Sequence, residues 1–404
     1  MQYRRMPIEI ESPEQMGYAT IRNNLSESSY TDTFFRDIDV TAGLNDLLLC
    51  YGSHAGHEGL RELIIQDTTL NTANRDTTNR NTANRDTATL HKEDVLLTIG
   101  AAGALFIIAT VLLEQGDELV VVRPNYATNI ETPKAIGARI KYIDLRFEEN
   151  FALDFDALES AITEKTKYVS VTYPHNPTGA VLTEDELRRL ITLAEAKGTR
   201  LLVDETYRDM VFGQPLTGAA QPPPGAAQPL PLAAEYSPRV ISVSSLSKTY
   251  GLPGLRTGWI VCRDRKLMDT FLAAKEQIHI CGPSLDEEVA FRYLRQKELY
   301  FPRIRADIRQ KFGLVRNWMQ QQNDFEWVEP KGGAVCFPRL RHPEQGDIDK
   351  FYRILLDEYG TYAGPGHWFD MPRHYMRIGF GWPSTASLEE GLAALTKSWA
   401  AVIY

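Results

Sequence analysis

Lys248 lies in the stretch SSLSKTYGLPGLRTGW, residues 244–259, with serines before it, glycines after it and Arg256 eight residues further on. A lysine kept from water among hydroxyls and glycines gives up its proton more readily. The neutral amine is then a nucleophile that condenses with an aldehyde to give a Schiff base. The guanidinium of Arg256 and the hydroxyls of Ser245 and Ser247 suit an anion bound beside that amine. A lysine alone in a Ser/Gly loop reads as a solvated surface residue, so its company decides the matter.

That company is present. TIGAAGALFIIA puts small residues where a strand turns into a helix, so the backbone N–H groups of Ala101, Ala102 and Gly103 would face an anion at the positive helix end. Asp204 closes the apolar run of LLVDETY, where a carboxylate would keep a ring nitrogen protonated. Tyr207 of the same run and Asn176 of YPHNPTG could hold a phenolic oxygen, and Tyr126 of RPNYATN could stack on a ring face. Aldehyde, phosphate, pyridine nitrogen and phenolic oxygen together describe pyridoxal 5'-phosphate.

The elements that must carry these residues follow from hydrophobic patterning. From residue 95, apolar runs (DVLLTIG, ELVVV, RIKYIDL, KYVSVTY, RLLVDE, RVISVSS, GWIVC) alternate with helical patterns, the first running from Gly103 to Leu113. Such alternation predicts a largely parallel sheet covered on both faces, with ligands beyond the carboxyl ends of the strands. GAAGA, PNY, YPHNPTG, DETY and SSLSK all fall just after a strand. Beyond about residue 285 the texture changes to a long charged helical stretch, SLDEEVAFRYLRQKELYFPRIRADIRQKFGLVRNWMQQQ, followed by GGAVCFPRL and HYMRIGFGW, which reads as a smaller α+β domain. Two low-complexity segments look inserted: 71–89, with NTANRDT twice, and 213–233, with GAAQP repeated around a proline run. Their composition predicts loosely draped or disordered surface loops.

SLSKTYGLPGLRTGW resembles the lysine signature S-x-S-K-x-x-G-x-x-G-x-R of fold-type-I pyridoxal-phosphate enzymes, in particular the aspartate aminotransferase-like class I/II aminotransferases, and NPTG and DETY stand in that family's order. The resemblance runs from about residue 45 to 385, apart from the inserts. It implies an α/β fold: a large domain, 45–280, with a mostly parallel seven-stranded sheet between helices, and a smaller α+β domain, 281–404, joined by the N-terminal segment 1–44. It implies that Lys248 forms the Schiff base and then carries the proton between the substrate Cα and the cofactor. Asp204 would pair with the pyridine nitrogen, Asn176 and Tyr207 would hold the phenolic oxygen, and Tyr126 would stack on the ring. Ala101, Ala102, Gly103, Ser245, Ser247 and Arg256 would cradle the phosphate. Tyr51, in YGSHAGHEGLREL, would reach the phosphate of a neighbouring subunit, giving a homodimer with shared active sites. Arg377, in HYMRIGFG, would grip the substrate α-carboxylate with Asn176, and NLSESSYTD resembles the substrate loop, here with Glu27. Many relatives carry Ser or Thr at the positions of Ala101 and Ala102, so this phosphate cup would rely more on backbone donors. No second arginine for a distal carboxylate stands out, which weighs against an aspartate- or glutamate-specific enzyme.

The plainer alternatives are an N-cap role for Asp204, a surface ion pair for Arg377 and a structural role for Tyr51. His54 and His57 lack a third partner at metal-site spacing, and His367, Trp368 and Phe369 of GPGHWFD could line a side-chain pocket or simply pack. The net charge of −9 without a basic block argues against nucleic acid or an anionic membrane as partner. The apolar run ALFIIATVLL is too short to span a bilayer, and MQYRRMPIEIESPEQ does not read as a signal peptide. Four scattered cysteines fit a reducing cytoplasm. The reading that follows is a homodimeric aminotransferase moving an amino group from an α-amino acid to a 2-oxo acid. A lyase, cyclase, β- or γ-replacement enzyme or amino-acid oxidase on the same scaffold is the alternative. A non-catalytic regulator is disfavoured by the complete catalytic set.

Overall fold

The computed structural model describes residues 1–73, 90–212 and 229–403. Its strands are β1 (Asn23–Leu25), β2 (Val95–Ile99), β3 (Glu118–Arg123), β4 (Arg139–Asp144), β5 (Thr166–Thr172), β6 (Arg200–Asp204), β7 (Val240–Ser245), β8 (Thr257–Val261), β9 (Phe325–Glu326), β10 (Val335–Cys336), β11 (Arg339–Leu340), β12 (Thr361–Pro365) and β13 (Met376–Gly379). Seven of them form one sheet in the order β2-β8-β7-β6-β5-β3-β4, the seven-stranded and mostly parallel sheet expected from the sequence. Only β8 runs against its neighbours β2 and β7.

Both faces of that sheet are covered, which is why its central strands read as continuous apolar runs. Leu119, Val121, Leu202, Ile241 and Ile260 pack on one face with Leu105 and Ile108 of the helix Gly100–Leu112 and Phe271 of the helix Arg265–His279. Val120, Val122, Val169, Leu201 and Val203 face the other way, against Leu187, Leu190 and Ile191 of the helix Glu184–Ala196. That last helix starts at a reciprocal cap: Thr183 Oγ1 accepts from the Glu186 amide at 3.2 Å, and Glu186 Oε2 accepts from the Thr183 amide at 2.7 Å. Such a cap stabilises the helix by about 1 kcal/mol.

A second sheet, β1-β12-β13-β10, is built from both ends of the chain: β1 pairs in parallel with β12, Asn23 opposite Thr361 and Leu25 opposite Ala363. β9 and β11 form a separate antiparallel pair. Leu25, Leu388, Leu392 and Trp399 bury this region together. The N-terminal strand therefore delivers residues 26–33 to the edge of the larger sheet, where the Tyr30 amide donates to the Lys248 carbonyl (2.8 Å) and the Thr33 amide to the Gly251 carbonyl (2.9 Å).

Three sequence expectations change. The first helix begins at Gly100, not Gly103, and ends at Leu112, because Gly100 takes φ +67° to turn out of β2 and Thr98 Oγ1 fastens that turn on the Gly100 carbonyl at 2.9 Å. The long charged stretch is two helices, Ser284–Arg295 and Lys297–Gln320, broken at Gln296, whose side-chain amide donates to the Asp39 carbonyl at 3.0 Å. The segment 213–233 is not loose to its end: Leu230, Leu232 and Ala233 are buried. Residues 213–228 lie outside the described residues, as do 74–89 of the other repeat segment, whose residues 71–73 end the helix Glu58–Ala73. Among the described residues no helix is long and apolar enough to cross a membrane.

Candidate active site

Six of the seven strands run the same way and end at one edge of the larger sheet, and β8 begins there because it runs the other way. That single antiparallel strand brings Arg256, the residue before it, alongside the start of the helix Gly100–Leu112. The approach leaves no room for side chains at the glycines. A Cβ on Gly258 would lie 2.4 Å from the Gly100 carbonyl carbon, and one on Gly100 would lie 2.4 Å from Arg256 Nη2. Arg256 itself has φ +46°, and its Nη1 donates to the Pro253 carbonyl (3.1 Å) and approaches Ser247 Oγ (3.5 Å). Ala101, Ala102, Ser245, Ser247, Lys248 and Arg256 line one cavity of about 290 Å³. The first amides of a helix have no partner within it, so this corner offers N–H donors, hydroxyls and a guanidinium to one anion. Gly103 does not line the cavity; its Cα faces back onto Thr98 and Ile99, and it can contribute only its amide.

Tyr126, Asn176, Asp204 and Tyr207 line the same cavity, together with Thr172 and Thr206. Asp204 is buried, and its Oδ1 accepts from the Thr206 amide (3.1 Å) and hydroxyl (2.5 Å). Burial pushes its carboxyl above the ordinary carboxylate range, while the Thr206 bonds and the Lys248 charge pull the other way. Tyr207 is buried with a hydroxyl that has no partner of hydrogen-bond geometry; burial raises its pKa and the nearby Ser28 lowers it. Burial likewise raises the Tyr126 phenol. Lys248 moves the opposite way: burial lowers its pKa, opposed by the charge of Glu27 and assisted by Arg377 and Arg256. A buried amine of lowered basicity is the nucleophile that the sequence suggests.

Arg377 stands on β13, behind Asn176. Its Nη1 donates to Asn176 Oδ1 (3.3 Å), its Nη2 donates to the Ser26 carbonyl, and its buried Nε has no partner. The rings of Trp368 and Phe369 sit 5.8 and 5.1 Å from the guanidinium, so these two residues support Arg377 without lining the cavity. His367 turns away to Glu11 at 2.9 Å. Burial depresses the Arg377 pKa; a guanidinium so desolvated calls for an anion.

Tyr51 is not in the cavity; it is 81% exposed. His54 Nδ1 lies 2.6 Å from Glu276 and His57 Nε2 lies 3.1 Å from Glu288, which gives both histidines structural partners. Glu14, Tyr18, Ser28, Ser29 and Asp32 line the cavity beside Glu27, and of these only the stretch NLSESSYTD carries a sequence signal. Glu14 and Tyr18 stand in no recognisable motif and arrive through the β1–β12 pairing.

Among the described residues the Tyr207 hydroxyl has no hydrogen-bond partner and the buried Asp204 no ion pair, and with the glycine-lined anion corner they fit pyridoxal phosphate. They match its phenolic oxygen, protonated ring nitrogen and phosphate in turn. Comparison with known proteins gives the same direction. The family model described as aminotransferase class I and II matches residues 42–395. Capreomycidine synthase of Streptomyces vinaceus is 31% identical over 75% of this chain and 74% of its own, and tyrosine aminotransferase of Bos taurus is 32% identical over 75% and 67%. The crystal structure of the PLP-dependent cyclase OrfR matches with a TM-score of 0.81 at 25% identity, covering 99% of this chain and 98% of that one.

Proposed function

The chain belongs to the class I and II aminotransferase family and works with pyridoxal 5'-phosphate, and from that premise we propose that it transfers an amino group from an α-amino acid to a 2-oxo acid through Lys248. One observation carries the proposal. Lys248, whose basicity burial depresses, lines the cavity with Asn176, and Asn176 accepts from Arg377, a buried arginine whose Nε has no partner among the described residues. The amine attacks at one point while the fork fixes a carboxylate nearby, as a reaction at the Cα of an amino acid requires.

Pyridoxal phosphate, when bound, supplies an aldehyde for the lysine and a protonated ring that draws electrons from the substrate Cα. The residues do the rest. The amides of Ala101, Ala102 and Gly103, the hydroxyls of Ser245 and Ser247, and Arg256 hold the phosphate. Asp204 keeps the proton on the ring nitrogen, since a carboxylate buried without a cation gains most from one placed against it. Tyr207 and Asn176 would hold the phenolic oxygen, and Tyr126 would stack on the ring. Arg377 grips the α-carboxylate of donor and acceptor alike. The Lys248 Nζ would carry the Cα proton.

The exposed position of Tyr51 supports a homodimer in which it completes the neighbouring site. The proposed division is a large domain 45–280 and a small domain 281–404 with the N-terminal segment attached, supported by β1 joining the sheet of β12 and β13. Four free cysteines support a reducing cytoplasm as its compartment. A second reading, a non-transaminating reaction on the same scaffold, is favoured by the likeness to the synthase and the cyclase and by the carboxyl of Glu27 facing Lys248. The deciding experiment supplies single amino acids to the purified holoprotein. A transaminase releases about one 2-oxo acid per site, stops, consumes no oxygen and resumes only when a 2-oxo acid is added. Sustained turnover of one amino acid without an acceptor would refute transamination.

A further inference from the structure

The charged groups of the cavity divide into two sets. Arg256, Lys248 and Asp204 line the reacting end, with Arg377 behind Asn176 rather than in the lining, and the proposed function gives each an oppositely charged or covalent partner there. What remains is Glu14, Glu27 and Asp32, all lining the same cavity, whose only lining lysine and arginine among the described residues are Lys248 and Arg256. None of the three forms an ion pair among the described residues, and the one hydrogen bond their side chains accept is from Trp382 Nε1 to Asp32 (2.9 Å). Glu27 is the innermost. Its segment is held tightly: a Cβ on Gly379 would run into the Glu27 carbonyl oxygen, and the Tyr30 amide three residues on is bonded to the Lys248 carbonyl. Glu14 and Asp32 stand exposed at the rim with Tyr18 between cavity and solvent.

The field of this group is felt by its neighbours. The Tyr18 phenol is pushed up to about 12 by burial and by the charges of Glu14, Glu27 and Asp32. Burial raises the Glu27 carboxyl, Lys248 and Arg377 oppose this, and Glu14 and Asp32 add to it. The cavity is also built for a ligand on independent grounds, because the buried Tyr207 hydroxyl that lines it has no hydrogen-bond partner.

We propose that the amino acid bound here carries a cationic side chain, a guanidinium or an ammonium group, received by Glu27 with Glu14 and Asp32 behind it. The inference rests on the reading of the cavity as the site of an α-amino acid. A distal carboxylate would meet three like charges and no arginine. A neutral side chain would leave a half-buried carboxylate unpaired, at the cost of its desolvation. A cation satisfies Glu27 by a charge-assisted bond and draws on the long-range attraction of the rim. The Tyr18 ring adds an aromatic face at the entrance, of the kind that favours cations.

Calorimetric titration of the holoprotein with two matched pairs, arginine against citrulline and lysine against norleucine, tests this while the cofactor absorbance is followed in parallel. Aspartate serves as the anionic control. In one pair or both, the cationic member should bind about 10- to 100-fold more tightly, the range of one charge-assisted hydrogen bond. Glu27→Gln should bring the ratio to within about threefold, and Asp32→Asn, at the exposed rim, should reduce it by a smaller factor that shrinks further in salt. Equal affinities within both pairs, or tightest binding of aspartate, would overturn the proposal while leaving the α-amino-acid site intact, provided the absorbance responds. If no amino acid perturbs the cofactor absorbance, the site assignment fails and this inference fails with it.

Discussion

Gly258→Ala tests the claim that close backbone approach, and not side-chain chemistry, makes the anion corner. An added Cβ would stand 2.4 Å from the Gly100 carbonyl carbon and 2.7 Å from the Ala101 nitrogen, where ordinary contact begins at 3.4 Å. Both obstacles are backbone, so β8 and the start of the helix Gly100–Leu112 must separate by about 1 Å, and overpacking of this size costs about 1–3 kcal/mol. The same shift moves the Ala101 and Ala102 amides off the phosphate. Two charge-assisted bonds of about 1.5–3 kcal/mol each, weakened by half, would lose about 1.5–3 kcal/mol of cofactor affinity, or about 10- to 150-fold in Kd. The assay is titration of the apoprotein with pyridoxal phosphate, with a thermal melt of the apo form alongside. Gly254→Ala is the internal control from the same motif: nothing lies within 4 Å of its Cβ position and its φ is not left-handed. It should change stability by less than about 0.5 kcal/mol and leave Kd unchanged. A Gly258→Ala protein with parental cofactor affinity and melting temperature would refute the reasoning.

Three further outcomes follow from the same geometry. Asp204→Asn should retain cofactor but lower the rate of Cα proton removal by at least about 100-fold, the scale of losing one electrostatic partner of the reacting system; solvent deuterium exchange into the donor measures it. Arg377→Lys keeps the charge and loses the fork, so the Kd of donor and of 2-oxo acid acceptor should both rise by about tenfold or more, read by stopped-flow titration of each half-reaction. The pKa of Glu27 is raised, so it takes up its proton at a higher pH than an ordinary glutamate. Preference for a cationic over a matched neutral side chain should therefore fall on acidification starting at a higher pH than an ordinary glutamate would set, whereas Glu27→Gln should remove that fall.

Much of the larger sheet was legible because it is encoded locally. A strand buried on both faces needs an uninterrupted apolar run, as LVVV and RLLVD are, and the turn that leaves each strand must carry the ligand-facing residue. Asp204, Asn176, Lys248 and Arg256 could thus be picked out one by one and prove to share a cavity. Where reading failed, the deciding interaction was distant or invisible in residue type. The helix start at Gly100 depends on a positive φ and on a threonine two residues earlier bonding back to it. The break at Gln296 depends on a carbonyl 257 residues away. The packing of Leu230 and Leu232 was hidden by a proline- and alanine-rich neighbourhood whose composition suggests exposure.

At the substrate end the sequence offers Arg377, Asn176 and Glu27 but not the acidic set around Glu27, for a deeper reason. Catalytic residues on the large sheet sit at fixed offsets from strand ends, so spacing betrays them. Glu14, Glu27 and Asp32 hold no such offset. They reach the cavity because three residues of β1 pair with β12, some 340 positions later, and swing the chain on either side of that strand over Lys248. In the sequence only Glu27 is marked, by the likeness of NLSESSYTD to a substrate loop, and nothing joins it to Glu14 or Asp32 in a chain that carries 53 Asp and Glu residues. What makes them a set is that the proposed roles commit the positive groups near them to phosphate, aldehyde and α-carboxylate, which becomes visible only once the fold brings those groups to one site. On the proposed reading, specificity is a remainder: the charge left unpaired after the common chemistry has been served. A distal pocket whose acids were neutralised would keep that chemistry and lose its choice of side chain.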